Sequence, residues 1–383
     1  MQKKYQKRII SPIFNYMMKF MHYRIFFCIC FLIFFNEKQT SAEENTYKFP
    51  GDEIVIAFGS CNDQNRSQFF WQNINSFKPD IFIMLGDNIY PEKNGSKLDK
   101  LAKAYDQLGK NNFYKEFSNS VPIIAIWDDH DYGKNDGGAS FPEKDKSRKL
   151  FLEFFNLEEN KDVTNRSGLY HEKLITHNNK LIQIIMLDTR YFKDDFRTTD
   201  ERGKKGKERY IKDYNKNRTI LGKEQWQWFK EKLSKKVDIR IIVSSFQLIA
   251  SDHGWEKWGN FPLELKKFYS YIETSNFTNT IILSGDRHIG GLYEEILLNK
   301  FKLLELTSSS LNKPLSFKVL DRDSKQVGSV VHDANFGIIK INWKNEELIM
   351  ELRSTLENVF MQKDPFIFKR LKLVNYKNQK VVI

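Results

Sequence analysis

The sequence predicts an α/β fold, because six short apolar runs alternate with stretches of helical periodicity and each run ends in residues capable of chemistry. The runs are 53–58, 80–85, 121–126, 181–187, 239–243 and 280–283. They are rich in Ile and Val and closed by Gly or Asp, which is the pattern of strands buried on both faces. Between them, 67–77, 97–117, 145–155, 223–233 and 262–273 carry apolar residues three and four apart and read as helices.

In order, the runs end at Gly59-Ser60-Cys61, Gly86-Asp87, Asp128-Asp129-His130, Asp188-Thr189-Arg190, Ser244-Ser245-Phe246-Gln247 and Ser284-Gly285-Asp286-Arg287-His288. Sheets of this kind collect ligands at the carboxyl ends of their strands, so these endings are expected to share one site. From 303 onward the spacing tightens, and 303–307, 336–342 and 347–352 read as antiparallel strands of a second sheet. No linker separates them from Asp286, so they are assigned to the same domain. The stretch 200–218 is charged, contains Gly and has no apolar period, as expected of an exposed loop.

The first 42 residues do not belong to that domain. Lys3, Lys4, Lys7, Arg8, Lys19 and Arg24 precede an unbroken apolar run, 25–35, followed by Thr40-Ser41-Ala42, the order of a cleaved signal peptide. A retained anchor is the alternative, but the run is shorter than the about 20 residues a bilayer span needs. The expectation is a signal peptide at 1–42, a catalytic domain at 43–352 and a tail at 353–383 packing back on it through Phe360, Phe366, Phe368 and Leu371. An uncleaved signal would instead leave the protein membrane-anchored.

Removing the signal segment takes away seven Lys and Arg and one Glu, lowering the formal charge from +12 to +6. The remaining cations are spread along the chain, which argues against a specific nucleic-acid partner. Oligomeric state is not legible. Cys28 and Cys30 lie in the apolar run, leaving Cys61 without a disulfide partner in an exported chain. Such a thiol points to a metal bond, to pairing between molecules or to burial.

The densest group of chemistry-bearing residues is 127–136, with four carboxylates, a His and an Asn in ten positions. Those charges require water or metal, because burying them unpaired is prohibitive. Asp87 and Tyr90 stand three apart beyond a strand, fitting either an Asp-Asn turn or an ion site. Cys61 reads as a metal thiolate or a small buried residue. His130 and His288 each have an Asp close by, which suits an oriented imidazole. Asp188 and Arg190 read as a structural ion pair. His171, His177, His253 and His332 read as surface or core residues, and Trp226, Trp228, Trp255 and Trp258 as core.

Taken together, Phe58-Gly59-Ser60-Cys61-Asn62, Leu85-Gly86-Asp87-Asn88-Ile89-Tyr90, Trp127-Asp128-Asp129-His130-Asp131, Leu187-Asp188-Thr189-Arg190-Tyr191-Phe192 and Leu283-Ser284-Gly285-Asp286-Arg287-His288 resemble the PhoD-like alkaline phosphatases, a branch of the calcineurin-like metallophosphoesterases. The resemblance covers about 52–310. It implies a four-layer αββα sandwich of mixed sheets, with iron (Fe3+) and one or more calcium ions. Cys61, Asp87, Tyr90 and Asp286 would hold the iron, Asp87 and Asp129 a calcium, and Asn135 and His288 would be further ligands. The implied activity is hydrolysis of phosphate monoesters or diesters by a metal-bound hydroxide, on small-molecule, lipid or nucleotide substrates outside the cytoplasm. His130 would protonate the leaving oxygen and Arg287 would clamp the phosphate, while Asp128, Asp131 and Asp136 would support the ligands or shape turns. Between Ala42 and the first strand there is no room for the N-terminal β-sandwich of larger members. The competing expectation is an exported protein that binds metal or phosphate without turnover. Cys61, Asp87, Tyr90, His130 and Asp286 are all present, which favours the enzyme.

Overall fold

A computed structural model describes residues 46–91, 97–275, 279–298, 300–316 and 322–355, and the backbone of 366–372. The expected signal peptide lies outside these residues, as does most of the expected tail. The chain divides into Met1–Tyr47 and Lys48–Ile383, and the description below concerns the second unit.

The apolar runs form strands in two mixed sheets. β1 (Glu53–Gly59), β2 (Ile81–Met84) and β3 (Ile123–Ala125) pair in parallel, in that order. The other sheet is led by the hairpin of β4 (His171–His177) and β5 (Lys180–Met186), from which β6 (Ile239–Ser244) and β7 (Thr280–Ser284) continue in parallel. β8 (Gly290–Ile296), β9 (Lys302–Ser308) and β10 (Gln326–Val331) extend it, in the order β4-β5-β6-β7-β9-β8-β10. β11 (Asn335–Asn342) and β12 (Glu347–Ser354) return to the first sheet antiparallel, and β13 (Phe366–Lys372) pairs with β12.

The run at 303–307 was expected in the second sheet as an antiparallel member. It lies instead beside β7, parallel to it, with Leu306 opposite Leu283. The cause is β8, hidden in the Gly-rich stretch after His288, which forms a hairpin with β9 and brings that run home. β4 was also missed. Its turn uses Asn178 and Asn179, both left-handed at φ 51° and 58°, the conformation that tight hairpins require.

Helices cover both outer faces, giving the αββα order. On the first sheet, Trp71 of α1 (Phe70–Asn75) packs on Phe82 of β2, with ring centroids 5.2 Å apart, and on Phe117 at 4.9 Å. Phe117 belongs to α3 (Asn112–Ser120), which follows α2 (Lys97–Lys110). A single helix was expected over 97–117. It breaks at Asn111, whose side chain accepts the Phe113 and Tyr114 N–H groups and so caps a new helix. On the other sheet, Trp226 and Phe229 of one helix (Gly222–Leu233) and Phe268 and Ile272 of another (Pro262–Thr274) share a core with Ile242 and Ile282. Between the sheets, β8 and β12 approach so closely that a Cβ at Gly290 would lie 2.9 Å from Leu352. A bridge from Ser60 to Ser309 ties the two sheets together at their carboxyl ends.

Gly337 of β11 lies opposite Phe58 of β1, and a Cβ there would sit 2.0 Å from the Phe58 ring. Gly337→Ala is expected to lower stability by about 1–3 kcal/mol, read as the urea midpoint at unchanged slope. His171 is buried, which pushes its imidazole down to about 4. The unfolded chain then binds more protons than the native one between about pH 6.5 and 4, so stability falls as pH drops through that window, by about 3 kcal/mol from this residue. His171→Gln should remove that part of the acid loss in urea titrations at pH 7.5 and pH 5.

Candidate metal centre

Strand ends build the centre, and their turns are strained. Cys61, Asp87, Asp286 and His288 all adopt left-handed backbone, with φ of 58°, 50°, 66° and 55°. Non-glycine residues hold such angles only where surrounding bonds fix them, and such positions gather at functional sites. Here the bonds run between turns: Asn62 N–H donates to the Asp87 carbonyl at 2.9 Å, and Asn88 N–H to the Asp131 carboxylate at 3.1 Å. Ser309 Oγ accepts the His288 N–H at 2.6 Å and lies 3.1 Å from Cys61 Sγ. Gly86, at φ 106°, lets the third turn close, since a Cβ there would stand 2.5 Å from Asp128 Cβ.

These turns bring three sets of donors together. Cys61, Asp87 and His288 each place a ligand atom within 4.8 Å of the others, as do Asp87, Asp129 and His130, and again Asp129, Asp136 and Glu256. Asp87 thus belongs to two sets and Asp129 to two. Tyr90 donates its hydroxyl to Asp87 Oδ2 at 2.7 Å and lies under the His130 ring, centroids 4.1 Å apart. Asp286, Arg287, His288 and Asn135 line the same cavity, of about 780 Å³, with Asp87, Asp129 and His130. Seven of the nine expected site residues therefore line one cavity, and Cys61 and Tyr90 join them through contacts with Asp87.

The electrostatics ask for cations. Asp87, Asp128, Asp129, Asp131 and Glu256 are buried. Burial, then Asp129, Cys61 and the other aspartates, holds the Asp87 carboxyl well above its usual range. Burial and Glu256, Asp128 and Asp129 do the same to Asp286. Burial opposes ionisation of the Cys61 thiol, but His288, Ser309 and Tyr90 outweigh it and bring the thiol to about 7. A group of acids that suppress one another's ionisation is what a bound cation reverses. Asp129 Oδ1 is buried with no hydrogen-bond partner among the described residues. The first set, with sulfur and nitrogen, fits a transition metal, and the all-oxygen third set fits a hard cation.

Arg190 was expected to pair with Asp188. It is fully buried and instead donates Nε to Asp128 at 2.5 Å and both Nη atoms to Glu256 at 2.8 and 2.7 Å. Asp188 is occupied by the N–H groups of Leu169, Arg190 and Tyr191. Asp128 and Asp131 serve as supports, the latter accepting the Asp128 N–H at 3.0 Å.

Several contributors escaped the sequence. Glu256, His253 and Trp255 line the cavity, whereas His253 and Trp255 were expected in core or surface roles. Trp258 is buried as expected. The loop at 200–218 was expected to be exposed, yet its Lys205, Glu208 and Arg209 line the cavity. Arg209 and Tyr210 both donate to Asp136 Oδ2, at 2.5 and 2.6 Å. A charge-rich loop gives no periodic sign of such docking, but Asp252-His253-Gly254-Trp255-Glu256 carries the same mix of Gly, His and acid as the strand-end motifs.

Residues 56–351 match the family described as PhoD-like phosphatase. The chain is similar to alkaline phosphatase D of Bacillus subtilis (strain 168), at 24% identity over 274 residues, which cover 62% of this chain and 46% of that protein. It thus spans about half the length of that relative. The solved structure of PhoD shares the fold, with a TM-score of 0.62 and 17% identity, over 84% of this chain and 68% of that one. With the family's pattern running through most of its length and the same fold around it, this chain belongs to the PhoD-like phosphatases.

Proposed function

We propose that the chain is a cation-dependent phosphoester hydrolase, acting on phosphate monoesters, diesters or both. One observation carries this reading: Asp87 is shared by two donor sets on the floor of a cavity large enough for a small molecule. Cys61, Asp87, Tyr90 and Asp286, with His288 beside Cys61 and Asp87, would hold iron, and Asp87 and Asp129, with Asn135 nearby, would hold calcium. When bound, the cations would supply Lewis acidity, lowering the pKa of water and offsetting charge on the phosphoryl oxygens.

The rest falls to the protein. Arg287 lines the cavity, and its buried Nε has no hydrogen-bond partner among the described residues, which supports a guanidinium that holds phosphoryl oxygens. His130 is held from two sides, its backbone N–H donating to Asp87 Oδ1 at 3.2 Å and its ring lying against Tyr90. From there it can pass a proton to the departing oxygen. Arg190 holds Asp128 and Glu256 in register without entering the cavity. Export from the cytoplasm rests on the sequence of 1–42. Among the described residues no helix is long and apolar enough to cross a membrane.

Purified protein supplied with iron and calcium should hydrolyse aryl phosphates or bis-aryl phosphate diesters, and a folded preparation that turns over neither would overturn the reading. Asp87→Asn should lose more than about a hundredfold in turnover together with bound metal in elemental analysis, since even residues one step removed from a metal cost 10–100-fold. Chelation should lower the thermal midpoint of the wild type and leave that of Asp87→Asn nearly unmoved, because cations that bind only the native state stabilise it.

A further inference from the structure

The cavity is far larger than a phosphoryl group, so lining residues other than the acids are left to meet the alcohol side of an ester. Trp255 is one of them, partly exposed. Its ring has the Arg209 guanidinium 5.1 Å from its centroid and that of Arg287 at 5.8 Å. Its indole N–H has no hydrogen-bond partner among the described residues, unlike that of Trp258, which donates to Ser244 Oγ at 3.0 Å. Trp258 is the core residue of the pair, whereas Trp255 lines the cavity.

Several bonds fix the backbone of this residue in place. Its backbone N–H donates to His253 Nδ1 at 3.2 Å and its carbonyl accepts Asn260 Nδ2 at 3.0 Å. Gly254 before it packs so tightly on the loop that a Cβ would lie 2.4 Å from the Glu208 nitrogen. Glu208 accepts the Gly254 N–H, and Arg209, the next residue, is pinned by Asp136. The loop of no assigned role thus presses Trp255 into place and ties it to the acid cluster. A rigid aromatic surface steadied by guanidinium groups binds flat rings by stacking, tolerant of their identity.

We propose that Trp255 is the specificity-determining residue of this cleft and that it selects phosphoesters whose alcohol carries a flat ring, nucleoside or aryl, over aliphatic ones. This rests on the phosphoester reading above. The test compares pairs with similar alkyl leaving groups: adenosine 5′-monophosphate against ribose 5-phosphate, and 2-phenylethyl phosphate against butyl phosphate. The full chain with iron and calcium should favour the ring-bearing member by about tenfold in kcat/KM, mostly through KM. Trp255→Ala should collapse the ratio toward one, and Trp255→Phe should keep most of it. Preference in both pairs identifies a general ring site, and in one pair alone it identifies nucleoside or aryl. Equal handling of both pairs by wild type, or a ratio that survives in folded Trp255→Ala, overturns the proposal. Calorimetric binding of the same four compounds reads the preference without turnover. Ring preference in binding with no hydrolysis would overturn the phosphoester reading and uphold the ring site, whereas hydrolysis without ring preference would do the reverse.

Discussion

The structure depends on a crowd of carboxylates held closer together than their own charges allow. Asp87 sits at its centre, shared by two donor sets, and Asp129 extends the chain of acids to Asp136 and Glu256. Burial raises the cost of each charge and each neighbour adds to it, so Asp87 and Asp286 resist ionisation strongly. Protonation, hydrogen bonds, fixed cations of the protein and ions from solution each relieve this. Arg190 is a fixed cation, kept charged despite burial by Asp128 and Glu256. Lys193 lies 3.9 Å from Glu256, but burial lowers its pKa to about 8, which makes it a weaker counter-charge.

The scaffold explains how such a group is held. Strain in the turns at Cys61, Asp87, Asp286 and His288 is offset in part by hydrogen bonds from one turn to another. Two sheets meeting at Ser60 and Ser309 put the endings of both on one rim. Removing one turn therefore loosens its neighbours, which makes the centre a cooperative unit rather than a set of separate ligands.

The parallel strands were legible because buried strands need unbroken Ile and Val, and that need shows in one dimension. What the sequence hid were elements whose reason lies in a partner: β8, with Gly290 allowing close approach to β12, and β4, missed although its Asn-Asn turn is in the sequence. The break at Asn111, a residue able to cap a helix, was missed within a continuous apolar period. In the centre, Cys61, Asp87 and His288 were marked by position at strand ends. Arg190 was assigned the wrong partner, because Asp188 is near in sequence while Asp128 and Glu256 are 62 and 66 positions away. Trp255 looked like its core neighbour Trp258, and only the cavity separates their roles.

The most direct test of the centre is anomalous scattering from crystals of the wild-type chain grown with iron and calcium, collected at the iron edge. An iron peak is expected within bonding distance of Cys61 Sγ and an Asp87 oxygen, and a separate calcium near Asp129. A well-ordered structure with the same turns and no ion between Cys61 and Asp87 would contradict that expectation.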